Sequence, residues 1–265
     1  MSAKPVFARD GSIDAGIRRR IGATKPVFVF LDYDGTVSPI RRRPGEAVLS
    51  RAMASLLAQL SLHPRVRLGV VTGRSLADIT RIAPEPWHFI AANHGLEIRR
   101  GRTLWAHPEA KRVMPMLDRA ARRLRAALRG IPGAAVEHKG YSLTVHYRRV
   151  RSADAARIEA IVRREVEPWL PSLRIGHGKK VWEVKPGVSW TKGDAVLRLL
   201  DALDRTGNAA IIYAGDDTTD EDAFRLLPAR AVTVKVGKDA ATRARYRVRT
   251  VSDIKKFLFR LLLSC

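Results

Sequence analysis

The 265-residue chain has one cysteine, at its last position, Cys265. No disulfide can form within it, and no site built on paired cysteines is available to zinc. It has no apolar run of membrane-spanning length: its longest, such as Val27–Leu31 and Leu68–Val71, are strand-sized. The amino-terminal stretch has no continuous apolar segment after its charges, unlike a secretory signal. A soluble, cytoplasmic protein is the expectation. Aromatic residues are few, at 6%. Acidic residues are also scarce: 26 Asp and Glu face 49 Lys and Arg, for a formal charge of +23. That excess favours anionic partners. An arginine-rich composition on solvated faces explains it equally well. With no RNA-recognition signature, no zinc finger and few aromatics between the basic runs, specific nucleic-acid recognition is not expected.

What remains is ordinary globular composition, 46% hydrophobic and 28% charged, long enough for one large or two moderate domains. Residues 1–24 read as a basic arm or short first helix, weakly tied down. PVFVFL (26–31), VRLGVV (66–71) and HFIAA (88–92) read as buried strands alternating with helices, and GLEIRRGRTLW (95–105) as a hairpin. Ser50 is a candidate cap in the helical stretch 49–62, and Thr72 for the helix at 75–82. Helix–strand–strand then occurs twice between 106 and 184. Beyond Pro186 the first style returns, with a helix at 191–204, a strand at 209–215, a helix at 219–227, a strand at 230–236, and a final helix capped by Ser252 or Asp253. The fold class expected is α/β. A Rossmann-like parallel-sheet core (25–105 and 185–265) is interrupted by an inserted α+β domain (106–184) with one antiparallel sheet and two helices.

Ligands of open parallel sheets bind beyond the carboxyl ends of the strands. Asp32, Asp34, Gly35 and Thr36 follow the first strand, Thr72, Gly73 and Arg74 the second, and Asp216, Asp217 and Asp220 the strand at 209–215, while Lys192 opens a helix. An Asp-Gly turn accounts for Asp32–Asp34 taken alone, and helix-dipole stabilisation accounts for Asp220, Glu221 and Asp222. Four segments converging on one sheet edge argue for more. Crowded carboxylates at strand ends repel unless a cation compensates, and an all-oxygen donor set favours Mg²⁺.

FLDYDGTVSPI, VVTGR, Lys192-Gly193 and GDDTTDEDAF resemble, in order, the four motifs of the haloacid dehalogenase-like phosphatases. The longer forms FLDYDGT-x-x-PI, N-H-G-L-E-I-R (93–99), K-G-x-S-x-x-x-H-Y-R (139–148), W-E-x-K-P-G (182–187) and GDD-x-TDEDAF resemble the trehalose-6-phosphate phosphatases. The resemblance covers about residues 26–260 and implies a cap domain at 106–184. It also implies hydrolysis of trehalose 6-phosphate through an aspartyl-phosphate, with Asp32 as nucleophile and Asp34 as general acid and then base. Thr72 and Lys192 would hold the phosphoryl oxygens. Mg²⁺ would lie on the Asp32 carboxylate, the Asp34 carbonyl and Asp216, with Asp217 and Asp220 orienting that set.

Gly73, Arg74, Asn93 and His94 are candidates to line the cleft, a turn at Asn93–Gly95 being the alternative. Lys139, Ser142, Glu183 and Lys185 are candidates to contact the sugar, solvated strand positions being the alternative. His146 and Tyr147 read as sheet packing. Another sugar phosphate (sucrose phosphate or a mannosyl phosphate) and a catalytically idle, ligand-binding domain are the competing readings. A trehalose-6-phosphate synthase is a candidate partner that the residues themselves do not reveal.

Overall fold

The structure is a computed structural model that describes residues 3–22, 25–41, 43–84, 86–178, 180–204, 206–238 and 241–265. Its elements run β1 (Lys4–Pro5), α1 (Ala15–Ile21), β2 (Val27–Leu31), α2 (Arg51–Leu62), β3 (Val66–Val71), α3 (Leu76–Ile82), β4 (Phe89–Ala92), β5 (Glu97–Arg100), β6 (Thr103–Ala106), α4 (Pro108–Leu128), β7 (Ala135–His138), β8 (Leu143–His146), α5 (Ala155–Val166), β9 (Leu173–Gly178), β10 (Val181–Pro186), α6 (Lys192–Leu203), β11 (Ala210–Gly215), α7 (Thr218–Leu226), β12 (Val232–Val236), β13 (Tyr246–Val248) and α8 (Val251–Ser264). The chain divides into two compact units, Met1–Trp105 with Trp190–Cys265, and Ala106–Ser189. Among the described residues no helix is long and apolar enough to cross a membrane.

The larger unit is built on a nine-stranded sheet ordered β1-β13-β12-β11-β2-β3-β4-β5-β6. Pairing is parallel from β1 to β4, and β5 turns antiparallel to β4. β2 is apolar at all five positions because it is central and covered on both faces. Its side chains alternate, as a strand's must. Val27, Val29 and Leu31 pack with Met53, Leu57 and Leu60 of α2 and Phe257, Leu258 and Leu261 of α8. Phe28 and Phe30 pack with Phe89, Val196 and Leu199, and with Phe224 of α7. Leu31 is in register with Ala214 of β11 on one side and Val70 of β3 on the other. The three central strands therefore end level, and the residues after them emerge at one edge.

Helix starts follow cap chemistry. Ser50 caps α2 by accepting from the Met53 N–H. α3 is capped by Ser75 and not by Thr72, and α8 by Thr250 in a reciprocal box with Asp253, so neither candidate, Ser252 or Asp253, is itself the cap. The amino-terminal segment holds a short first helix, α1, as one of the two readings expected, but it is not weakly tied down: β1 pairs with β13, and Val6, Ile13, Ile17 and Ile21 are buried in the core of the larger unit. Asp14 caps α1 and accepts from the Tyr246 hydroxyl. Single apolar residues spaced three or four apart between charges fit one helical face. They give too sparse a pattern to read as tertiary packing before the partner strand is known.

The smaller unit is a four-stranded antiparallel sheet, β7-β8-β10-β9, with α4 and α5 packed on one face. Leu143, Val145, Trp182 and Val184 point to the helices. By strand alternation Thr144, His146, Glu183 and Lys185 take the opposite face.

Candidate active site

Asp32 leaves the end of β2 with 4% of its surface exposed, its backbone N–H bonded to the Ala214 carbonyl at 2.8 Å. Lys192, the first residue of α6, reaches it from across the edge. Its Nζ donates to Asp32 Oδ1 at 2.7 Å and to Asp220 Oδ1 at 2.9 Å. Asp220 is fully buried and also accepts from the Tyr213 hydroxyl at 2.7 Å and the Asp217 N–H at 3.0 Å. Thr36 Oγ1 lies 3.3 Å from Asp32 Oδ2 and 3.4 Å from Asp216 Oδ1, a hydroxyl shared between two carboxylates. Lys235 Nζ holds the Asp216 carbonyl at 2.7 Å. Two glycines make the approach possible. Gly35 has φ +83°, and a Cβ there would sit 2.0 Å from Asp216 Oδ2. A Cβ on Gly193 would press on Leu226 at 2.8 Å, so the Lys192-Gly193 pair lets α6 close on α7.

These charges perturb one another. Burial, reinforced by the charges of Asp220 and Asp216 and opposed by Lys192, holds the Asp32 carboxyl well above its ordinary range. Asp216 is pushed up to about 6 by burial and then by Asp220. For Lys192 burial works against the charged form, but the flanking Asp220 and Asp32 outweigh it and raise its pKa. Burial and then Asp220 raise Tyr213 well above normal. Oxygens of Asp32, Asp216 and Asp220 all lie within 4.8 Å of one another, and the ammonium of Lys192 cannot balance three carboxylates, that of Lys235 being shared with Glu221 at 3.6 Å. An all-oxygen set with surplus negative charge fits a hard divalent cation.

Around this centre the structure sorts the remaining sequence candidates. Asp34 is 39% exposed in its side chain, and its carboxylate meets Arg74 through Nε and Nη2, both at 2.6 Å. Arg74 is itself only 8% exposed and also bonds Asp78. Thr72 is buried, and its hydroxyl accepts from the Arg74 N–H at 3.2 Å. The Asn93 N–H bonds the Arg74 carbonyl at 2.7 Å and the His94 N–H the Thr72 carbonyl at 2.8 Å. Both residues have positive φ. Asn93 is fully buried and donates to Glu97 at 2.7 Å. A Cβ on Gly73 would stand 2.6 Å from the His94 ring, so this turn clasps the Thr72–Arg74 loop. Asp217 is exposed and caps α7, whereas Asp220, which the sequence also allowed as a dipole residue, is the most buried carboxylate of the cluster. Both belong to one capping box, and only the fold reveals which of them faces inward.

In the smaller unit Glu183 and Lys185 form an ion pair at 2.6 Å. Lys139 lies 4.0 Å from Glu137, and its N–H bonds the Ser142 carbonyl at 2.8 Å. His146 is not packed inside the sheet: it pairs with Glu137 at 2.8 Å on the face away from the helices. Tyr147 is buried and meets His177 at 2.6 Å. Thr36, Tyr213 and Lys235 carried no assigned role in the sequence reading. The available signal was a lysine or tyrosine at a buried parity inside apolar strands, as in RAVTVKV and AAIIYAG.

The family model described as Trehalose-phosphatase matches residues 30–252. The chain belongs to the trehalose-phosphatase family. Trehalose 6-phosphate phosphatase RA3 of Zea mays is 32% identical over 256 residues, which cover 89% of this chain and 70% of the relative. Trehalose-phosphate phosphatase of Mycobacterium bovis is 35% identical over 253 residues, covering 93% of this chain and 63% of the relative. A solved trehalose-6-phosphate phosphatase related protein superposes with TM-score 0.78 at 25% identity, covering 89% of this chain and 97% of its own. The fold is shared with a solved haloacid dehalogenase-like hydrolase from Bacteroides thetaiotaomicron, at TM-score 0.63.

Proposed function

We propose that this chain hydrolyses trehalose 6-phosphate to trehalose and phosphate, with Asp32 as the nucleophile. The observation that carries the reading is the buried Asp32–Lys192–Asp220 network at the level ends of β2, β3 and β11. It fixes one carboxylate in a dry, charge-dense site where a phosphate ester can be attacked. An Asp32 oxygen forms a bond to phosphorus while the bond from phosphorus to the sugar oxygen breaks. The proton needed by that oxygen comes from Asp34, which then accepts one from the water that cleaves the aspartyl-phosphate. Lys192 supplies positive charge to the transferring phosphoryl oxygens, and Thr72 supplies a hydroxyl from the neighbouring strand end.

The donor set fits Mg²⁺, which the carboxylates of Asp32 and Asp216 and the backbone carbonyl of Asp34 would hold. A bound Mg²⁺ would offset repulsion between Asp32 and the phosphate and polarise the phosphoryl group. Asp220 holds Lys192, and Asp217 holds the start of α7. We assign Gly73, Asn93 and His94 to shaping the Thr72–Arg74 loop. Lys139, Ser142, Glu183 and Lys185 are assigned to the sugar, since paired hydroxyls need convergent donors and acceptors. A synthase that makes the ester is the natural supplier of substrate.

The test is a substrate panel: phosphate release from trehalose 6-phosphate, sucrose 6-phosphate and glucose 6-phosphate at equal concentrations with Mg²⁺. The reading expects release from the first at least about tenfold faster than from the others, since a satisfied polar site rejects analogues that leave its groups unpaired. Faster release from sucrose 6-phosphate would keep the chemistry and replace the substrate.

A further inference from the structure

Asp34 must both give and take a proton at the reacting oxygens, yet its carboxylate is not directed by the metal-type cluster. It is gripped by the Arg74 fork, two parallel bonds of 2.6 Å. That fork is itself fixed from other sides. The Asp78 carboxylate, in the first turn of α3, takes Arg74 Nη1. The ring of the fully buried Tyr33 lies 5.5 Å from the guanidinium carbon, and the Tyr33 hydroxyl is tied to the Ala47 carbonyl at 2.7 Å. The backbone of Arg74 is bonded at both its N–H and its carbonyl, to Thr72 and Asn93. A planar guanidinium immobilised in this way sets the plane and position of whatever carboxylate it meets, which a flexible ammonium does not do.

We propose that Arg74 is a positioning residue that acts through Asp34, and that Asp78 is its brace: the fork sets where the Asp34 carboxyl stands for proton transfer to the leaving sugar oxygen. This rests on the Asp34 role given above. It differs from a substrate-binding role for Arg74, because the Nε–Nη2 edge that would take a phosphate bidentately is spent on Asp34.

The experiment compares kcat/KM for trehalose 6-phosphate, whose alcohol must be protonated to leave, with kcat/KM for p-nitrophenyl phosphate, whose phenolate leaves without help. It uses Mg²⁺-loaded wild type and the variants Asp34→Asn, Arg74→Gln, Arg74→Lys and Asp78→Asn. Asp34→Asn sets the reference: a loss of about 10²–10⁴ on the sugar ester, and a much smaller one on the aryl ester. If that selectivity is missing, the Asp34 role itself fails, independently of Arg74. With the reference in place, Arg74→Gln is expected to lose about tenfold to a hundredfold on trehalose 6-phosphate, the scale of a misplaced catalytic group. It should largely spare p-nitrophenyl phosphate. Arg74→Lys should resemble Arg74→Gln, because charge without the fork does not orient a carboxylate. Asp78→Asn should shift the same ratio in the same direction, more weakly, and it carries the test if the Arg74 variants do not fold. Equal losses on both substrates, or full activity in Arg74→Lys, would place Arg74 on the phosphoryl group as a simple positive charge and overturn the proposal.

Discussion

At the carboxyl edge of the nine-stranded sheet, Asp32, Asp220 and Lys192 are 4%, 0% and 3% exposed. In the four-stranded sheet the pairs Glu183–Lys185 and Glu137–His146 keep between 18% and 43% of their side-chain surface. The first arrangement is expensive. Each buried charge loses its hydration, and only a complete set of partners restores it. The second costs little, because water still screens it. On the proposed function the difference would divide the labour. Chemistry that stabilises a charged phosphoryl group would use the fixed charges of the buried set, which are strong where water is excluded. Recognition of neutral hydroxyls would use a pair such as Glu183–Lys185, which can exchange partners with a ligand at small cost.

Removing one partner from each kind of pair should expose the contrast. Lys192→Met strands two buried carboxylates and is expected to cost about 3–5 kcal/mol, together with nearly all phosphate release. Lys185→Met should cost about 1 kcal/mol or less. Urea unfolding of both variants measures this, and similar losses would erase the distinction.

The next effect is in the pH and metal dependence. Asp216 keeps its proton up to about 6 in the folded, metal-free chain, whereas an unfolded Asp carboxyl releases it near 3.9. Between those values the unfolded state binds fewer protons, so this group's contribution to stability falls as pH rises from about 4 to 6. A cation that needs the ionised carboxylate recovers that loss. Added Mg²⁺ should therefore raise Tm more at pH 7 than at pH 5. Equal rises at both pH values would mean that the buried carboxylates do not hold the ion.

Tyr213→Phe sharpens the comparison further. It removes one buried donor from Asp220 while leaving Lys192 and the Asp217 N–H in place, and should cost about 1–2 kcal/mol with activity reduced but present. Glu183→Gln is expected to have the smallest effect on folding, within about 0.5 kcal/mol. It should raise KM for trehalose 6-phosphate and leave hydrolysis of p-nitrophenyl phosphate unchanged. A drop in kcat on both substrates would move Glu183 into the reaction centre.

The strand ends were legible in the sequence because each apolar run stops at a polar residue: Leu31 at Asp32, Val71 at Thr72, Gly215 at Asp216. Level endings of β2, β3 and β11 then follow from register. Relations inside one local motif were harder to read. Asp217 and Asp220 form a single capping box, and nothing in GDDTTDEDAF says that Asp220 is the one buried under Lys192. Thr72 and Ser75 are both cap-type residues, and the structure shows that Ser75 takes the role by accepting from the Asp78 N–H. Arg74 follows the second strand beside Thr72 and reads as a residue that lines the cleft. Its actual partners, Asp34 and Asp78, are 40 and 4 positions away. The amino-terminal segment was hidden for a related reason: Ile17 and Ile21 pack in a core that includes β11, a strand nearly two hundred residues later.

The most direct test of the central claim is phosphate release from trehalose 6-phosphate with Mg²⁺, wild type beside Asp32→Asn, the folding of both checked by circular dichroism. The account predicts steady release by the wild type and none above the uncatalysed background from a folded Asp32→Asn. Comparable release by the two proteins would contradict Asp32 as the nucleophile, and with it the role assigned to the buried network around it.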